Sequence, residues 1–162
     1  CPPTVIVLQT EPAMAETFIA RLDADLPFAV KAAKDGAAMT TGTVHIAYDP
    51  LNHVLFEPGQ PAKLRLIGRD PVDGARPSAT LLFGTMARGG MPSVGAVLTG
   101  MGSDGARGLT MMRDAGHRTF VQDPATATVA ESPQAAIAAG AAEQALALDE
   151  LAQAMLAACD MS

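Results

Sequence analysis

The segment Val97-Leu98-Thr99-Gly100-Met101-Gly102-Ser103-Asp104-Gly105-Ala106 gathers the residues of this chain best suited to chemistry. The apolar run over residues 94–98 predicts a central parallel strand, and the glycines lead from it into a helix over about residues 106–115. Open α/β sheets place ligands there, at the carboxyl end of a strand and the start of a helix. Gly100, Gly102 and Gly105 also satisfy G-x-G-x-x-G, with Asp123 about twenty residues on, so a nucleotide-binding module using residues 100–105 is one reading. Asp104 argues against it, because a carboxylate in the turn opposes the helix dipole and N–H groups that would cradle a phosphate. An acidic side chain there suits the orientation of an imidazolium or another cation. The plainest alternative is that the glycines only make a tight strand-to-helix turn.

Strands alternate with helices around this loop. Residues 4–9 form a β-branched run that reads as a buried strand. A helix follows over residues 13–26, with Met14, Phe18, Ile19 and Leu22 at inner-face spacing and Pro27 as its stop. Residues 28–32 predict another strand. The runs 43–47, 54–57 and 64–67 predict a small antiparallel meander, with His45 on the outer face, away from Val44 and Ile46. Arg76-Pro77-Ser78 reads as a helix entrance with Ser78 as N-cap and Leu81, Leu82, Thr85 and Met86 facing inward. Gly116 suits the C′ position, and residues 119–121 predict a strand. Ser132-Pro133 predicts an N-cap with proline at the first helical position, and Asp149 predicts the cap of a last helix to about Cys159. The pattern is α/β: a doubly wound, mainly parallel sheet in three α/β/α layers, with an antiparallel β-meander, in one domain over residues 1–162.

Composition narrows the function classes. With 162 residues, 49% hydrophobic and 17% charged, the chain is long and apolar enough for a core and lacks the signature of disorder. Aromatics are 4% with no Trp, so Ala, Val, Leu, Ile and Met must fill that core, the pair Met111-Met112 included. Met101 is expected to pack as well. A net charge of -6 argues against nucleic acid as a partner. Two cysteines, Cys1 and Cys159, make no disulfide framework and suit a reducing, cytoplasmic setting. No apolar run approaches the ~20 residues of a membrane span. No cluster has metal-ligand spacing, and no cofactor is expected. The opening Cys1-Pro2-Pro3, in place of Met, leads to the expectation that an upstream segment is missing.

The string Leu98-Thr99-Gly100-Met101-Gly102-Ser103-Asp104-Gly105 closely resembles the signature of the chemotaxis protein-glutamate methylesterases, the CheB catalytic domain. Phe18-Ile19-Ala20-Arg21-Leu22, Arg76-Pro77-Ser78 with Leu82-Phe83, Ala115-Gly116, Gln122-Asp123 and Ala135-Ala136-Ile137 fall in that family's order, so the resemblance covers most of the chain. It implies a Ser-His-Asp esterase that hydrolyses glutamyl methyl esters on chemoreceptor cytoplasmic helices and deamidates certain glutamines. In such a site serine attacks, histidine takes its proton, a carboxylate orients the imidazole, and backbone N–H groups stabilise the oxyanion.

Position by position, Asp104 corresponds to the triad acid, and Met101 and Gly102 to the loop shaping the oxyanion region. The family's Gln-His pair stands as Gln9-Thr10, so a hydroxyl occupies the base position. The serine-bearing turn would lie before Cys1. The Asp of Arg-Pro-Ser-x-Asp stands as Thr80, and a Gly-Met-Pro stretch as Glu131-Ser132-Pro133.

Three functions follow. A methylesterase-type domain impaired or silent in catalysis would bind chemoreceptor helices or another signalling protein. An active ester or amide hydrolase would need a displaced base, for which His53 is the candidate. A nucleotide-binding module would use the glycine loop. Thr99 and Ser103 are expected to make turn hydrogen bonds, and His117 to serve the end of its helix. Loss of an upstream strand would leave a sheet edge, covered by another segment or by a homodimer.

Overall fold

A computed structural model describes residues 1–160. They form two compact units, Cys1–Ser78 and the part from Ala79 onward.

The first unit holds β1 (Thr4–Val7), α1 (Pro12–Asp25), β2 (Ala29–Ala32), β3 (Thr43–Ala47), β4 (His53–Glu57) and β5 (Lys63–Ile67). Strand β3 lies between β1 and β2 and pairs with both in parallel, Thr4 opposite Val44 and Val30 opposite Val44. Val30, Val44 and Ile46 are buried against Leu8, Ile19, Leu22, Phe28 and Tyr48. Proline within the first turn starts α1, where its missing N–H costs no intrahelical bond.

The expected inner face of that helix is rotated. Ala15 is fully buried, with Ile19 and Leu22 behind it at i+4 and i+7, whereas Met14 and Phe18 are 65% and 43% exposed. Small Ala15 lets the helix approach the sheet where Met14 would hold it off.

The expected three-stranded meander is also corrected. Only β4 and β5 are antiparallel, in the register His53 opposite Ile67, while β3 belongs to the parallel sheet. Its alternation misled because both of its faces are covered: His45, expected outside, is buried, its Nε2 3.3 Å from the carbonyl oxygen of Ala38. A polar ring is tolerated inside when a hydrogen bond offsets its desolvation.

The second unit holds α2 (Ala79–Arg88), β6 (Val94–Val97), α3 (Ala106–Asp114), β7 (Arg118–Gln122), a 3-10 turn (Pro124–Thr126), α4 (Glu131–Ala138), β8 (Gln144–Leu146) and α5 (Leu148–Asp160). The strands run in parallel in the order β6-β7-β8. Val97 and Val121 pack with Leu109, Met112 and Ala136 of α3 and α4, while Phe120 packs with Leu151 and Ala158 of α5. Helices therefore cover both faces of a parallel sheet, as the alternating pattern predicts. Helix α5 begins at Leu148, with Asp149 and Glu150 in its first turn, where their charge favours the helix dipole.

Gly95 and Gly108 set the helix spacing. A Cβ on Gly95 would come within 2.8 Å of Leu109 Cδ1, and one on Gly108 within 2.6 Å of the Thr80 carbonyl oxygen, so α3 lies tightly on both β6 and α2. Among the described residues no helix is long and apolar enough to cross a membrane.

Candidate active site

Between β6 and α3 the glycine loop is tied down by residues far away in sequence. The Thr99 N–H donates to Gln122 Oε1 at 2.9 Å, and the buried Gln122 amide donates in turn to the Thr126 carbonyl at 3.2 Å. Thr99 Oγ1 accepts the Val129 N–H at 2.9 Å and lies 3.2 Å from the Val129 carbonyl, which also takes the Gly100 N–H at 3.0 Å. The turn role expected of Thr99 is thus observed. Gly102 and Gly105 have φ of +75° and +92°, conformations that disfavour any side chain.

Asp104 lies half-buried at the end of the loop. Its Oδ2 accepts the Ala79 N–H at 2.7 Å and its Oδ1 the Thr80 N–H at 3.1 Å. These are N–H groups at the start of α2, where a helix has no partners of its own and a negative charge is favoured. A carboxylate from the loop thus serves the start of α2 from outside the helix, just after the expected N-cap Ser78, whose own N–H donates to His53 Nδ1 at 3.1 Å. Thr80 answers: its buried Oγ1 accepts the Gly105 N–H at 2.8 Å. A hydroxyl thus serves as acceptor at the position where the family pattern has a carboxylate.

These bonds count against a phosphate cradle. The Gly105 N–H is spent on Thr80, the Ala106 N–H donates to the Ser103 carbonyl at 3.2 Å, and the Asp104 charge fills the turn. Asp123, the acidic residue about twenty positions beyond the glycine motif, accepts the Ala125 N–H at 2.9 Å and caps the 3-10 turn.

Met101 does not pack as expected. It is 75% exposed, beside Leu98 and Val129 at 45% and 37%. Among the described residues nothing accepts the N–H of Met101 or of Gly102. The loop therefore combines two available donors, a fixed carboxylate and an apolar rim.

In the first unit, Thr10 follows β1 half-buried, its hydroxyl 3.9 Å from Met14 Sδ. The neighbouring Gln9 amide donates to the Pro77 carbonyl at 3.3 Å.

His53, the candidate displaced base, is fully buried with both ring nitrogens engaged. Nε2 lies 3.0 Å from the Asp70 carbonyl, which only accepts, and Nδ1 takes the Ser78 N–H. That assigns the proton to Nε2 and leaves no lone pair for a substrate proton. His53 joins β4 to the loop before α2; it is not the base. His45 is likewise buried, and desolvation holds its pKa below the usual imidazole value despite the Ala38 carbonyl. His117 follows Gly116, its N–H donating to the Met112 carbonyl at 3.0 Å.

Gln122 and Val129 were not foreseen as parts of the site, and Thr80 and Ser132 were singled out only as departures from the family pattern, without the bonds they make to the loop. Only the polarity of Gln122 inside an apolar strand offered a signal.

Residues 1–155 match the CheB methylesterase family. The chain is 42% identical over 126 residues to a protein-glutamate methylesterase/protein-glutamine glutaminase of Caulobacter vibrioides, covering 77% of this chain and 37% of that protein. A protein of the same description from Dechloromonas aromatica is 38% identical over 160 residues, covering 98% of this chain and 45% of the relative. The chain thus spans less than half the length of both. The crystal structure of the Thermotoga maritima CheB methylesterase catalytic domain superposes with a TM-score of 0.87 at 26% identity, covering 95% of this chain and 82% of that one.

Proposed function

The chain belongs to the CheB methylesterase family, and from that premise we propose that it forms the substrate-binding part of a protein-glutamate methylesterase domain whose ester chemistry is impaired. Its ligand is a glutamyl methyl ester on a chemoreceptor cytoplasmic helix, met in the cytoplasm. The observation that carries this reading is the ordered Met101–Asp104 loop, and the hydroxyl at position 10, which the family resemblance gives to the base, is the reason to read the chemistry as impaired.

The chemistry divides along that line. The Met101 and Gly102 N–H groups have the character of oxyanion donors, since charge developing on an ester oxygen needs hydrogen-bond donors fixed beforehand. Asp104 accepts two backbone N–H bonds at the start of α2, which fix the carboxylate at the position that the family resemblance gives to the triad acid. Thr10 is the break. A threonine hydroxyl does not accept a proton near neutral pH, so a serine nucleophile in the same polypeptide would lack its base. Leu98, Met101 and Val129 form an exposed apolar rim suited to one face of an amphipathic helix.

Methanol release from methylated chemoreceptor, measured on the complete natural polypeptide beside receptor binding, tests the reading. Binding without release supports it. Release that Asp104→Asn abolishes would show a working esterase with its base elsewhere, and absence of both binding and release would remove the receptor as ligand.

A further inference from the structure

The donor groups of the glycine loop owe their direction to one residue on another element, through its main chain and its side chain together. Helix α4 begins at Glu131 with Ala130 as its N-cap, so Ser132 lies inside the first turn and does not cap the helix, contrary to the Ser-Pro pattern. Its hydroxyl is used differently. Ser132 Oγ is 3.0 Å from both the Met101 and the Gly102 carbonyl oxygens, and its N–H donates to the Gly100 carbonyl at 3.0 Å. One residue, only 8% exposed, thus faces three successive carbonyls. It also explains Gly100, where a Cβ would lie 3.0 Å from Ser132 Oγ.

In a trans peptide the C=O and the N–H of one plane point in opposite directions. The Gly100 carbonyl shares its plane with the Met101 N–H, and the Met101 carbonyl with the Gly102 N–H. Drawing both carbonyls toward Ser132 therefore turns both N–H groups the other way, and those are the groups without an acceptor among the described residues. We propose that Ser132 is a positioning residue, which aims the Met101 and Gly102 N–H groups out of the loop toward a substrate oxygen. The inference rests on the reading of this loop as the oxyanion region. The family pattern has methionine here, which has no hydroxyl, so the device is a feature of this chain.

The test compares Ser132→Ala with Ser132→Thr in the complete polypeptide. Backbone amide order parameters at Gly102 and Ser103, whose peptide planes carry the two carbonyls that the hydroxyl meets, are expected to fall from about 0.85 to below about 0.6 in Ser132→Ala, with Met101, held through the Ser132 N–H, and α3 and β7 unchanged. Ser132→Thr keeps the hydroxyl and is expected to restore them. Where hydrolysis is measurable, kcat is expected to drop about tenfold or more in Ser132→Ala at unchanged KM. A merely structural role would lower Tm and leave the loop order parameters in place, which would overturn the proposal. Equal loss in the Thr and Ala variants would do the same, by assigning the effect to packing. Absence of hydrolysis from every variant would count against the catalytic reading alone, since the order parameters judge the positioning without it.

Discussion

Asp104 and Thr80 are bonded in both directions across the start of α2. The carboxylate accepts the Thr80 N–H at 3.1 Å, and the Thr80 hydroxyl accepts the N–H of the residue after Asp104 at 2.8 Å. Any substitution at Asp104 therefore tests fold and chemistry together. Asp104→Ala removes a cap and is expected to cost about 1–2 kcal/mol. Thr80→Val, which leaves the buried Gly105 N–H unsatisfied, should cost about 1–3 kcal/mol. Because the two sites share one network, their losses should be non-additive by at least about 0.5 kcal/mol in urea unfolding. Independent, additive losses would mean that the two bonds do not act as a unit.

Two glycines of the same helix pair should respond with opposite signs. Alanine is favoured over glycine in a helix interior by about 1 kcal/mol. At Gly84 the added Cβ meets only ordinary contacts, the nearest being Met111 Cε at 3.5 Å, so Gly84→Ala is expected to stabilise. At Gly108 it would meet the Thr80 carbonyl oxygen at 2.6 Å and Thr80 Cα at 2.7 Å, both backbone atoms. Gly108→Ala should destabilise by about 1–3 kcal/mol and displace Thr80 from Gly105. Thermal unfolding of the two variants reads the contrast, and a stabilised Gly108→Ala would show that α2 and α3 separate freely.

The parts legible in the sequence were those written in local order. Apolar residues 94–98, the glycines after them and Gly116 beyond α3 predict β6, the loop and the helix end without help from elsewhere. The errors arose where a distant partner decides. Asp104 caps a helix that starts twenty-five positions earlier in the chain, and no local pattern connects it to Ala79. Ser132-Pro133 has the composition of an N-cap, yet the carbonyls of the glycine loop compete for its hydroxyl and take it. His45 alternates like a surface residue in a strand covered on both faces.

Burial of His45 links stability to pH. Desolvation lowers its pKa in the folded chain below the usual 6.5. Above about pH 6.5 the ring is neutral folded or unfolded, and its contribution to stability is fully present. As pH falls below that value the unfolded chain takes the proton first, so stability declines until the lower, folded pKa is passed. Urea unfolding at pH 7.5, 6 and 5 should show a shallower decline for His45→Gln than for the parent. Equal declines would mean that the ring titrates alike in both states.

Met101 and Leu98 separate recognition from stability. Both are exposed, at 75% and 45%, so Met101→Ser and Leu98→Ser should change stability by less than about 0.5 kcal/mol. If the apolar rim meets a receptor helix, each should weaken receptor binding several-fold in a titration of the complete polypeptide. Unchanged affinity in the double variant would place the helix elsewhere.

Thr10 offers the most direct gain-of-function test. Among the described residues its hydroxyl has only a long contact to Met14 Sδ, at 3.9 Å, so little is lost by replacing it. Thr10→His would put an imidazole next to Gln9, at the position that the family resemblance gives to the base. General acid–base catalysis contributes about 10²–10⁴ in rate, so methanol release by the complete polypeptide should rise at least a hundredfold over the parent. If Asp104 has the triad-acid role that the family resemblance implies, the gain should vanish when Asp104→Asn is added. A pH profile rising through the imidazole range would identify the histidine as the group responsible. If Thr10→His folds, binds receptor and releases no methanol, a missing base does not account for the absence of hydrolysis, and the oxyanion loop or the nucleophile becomes the part to test.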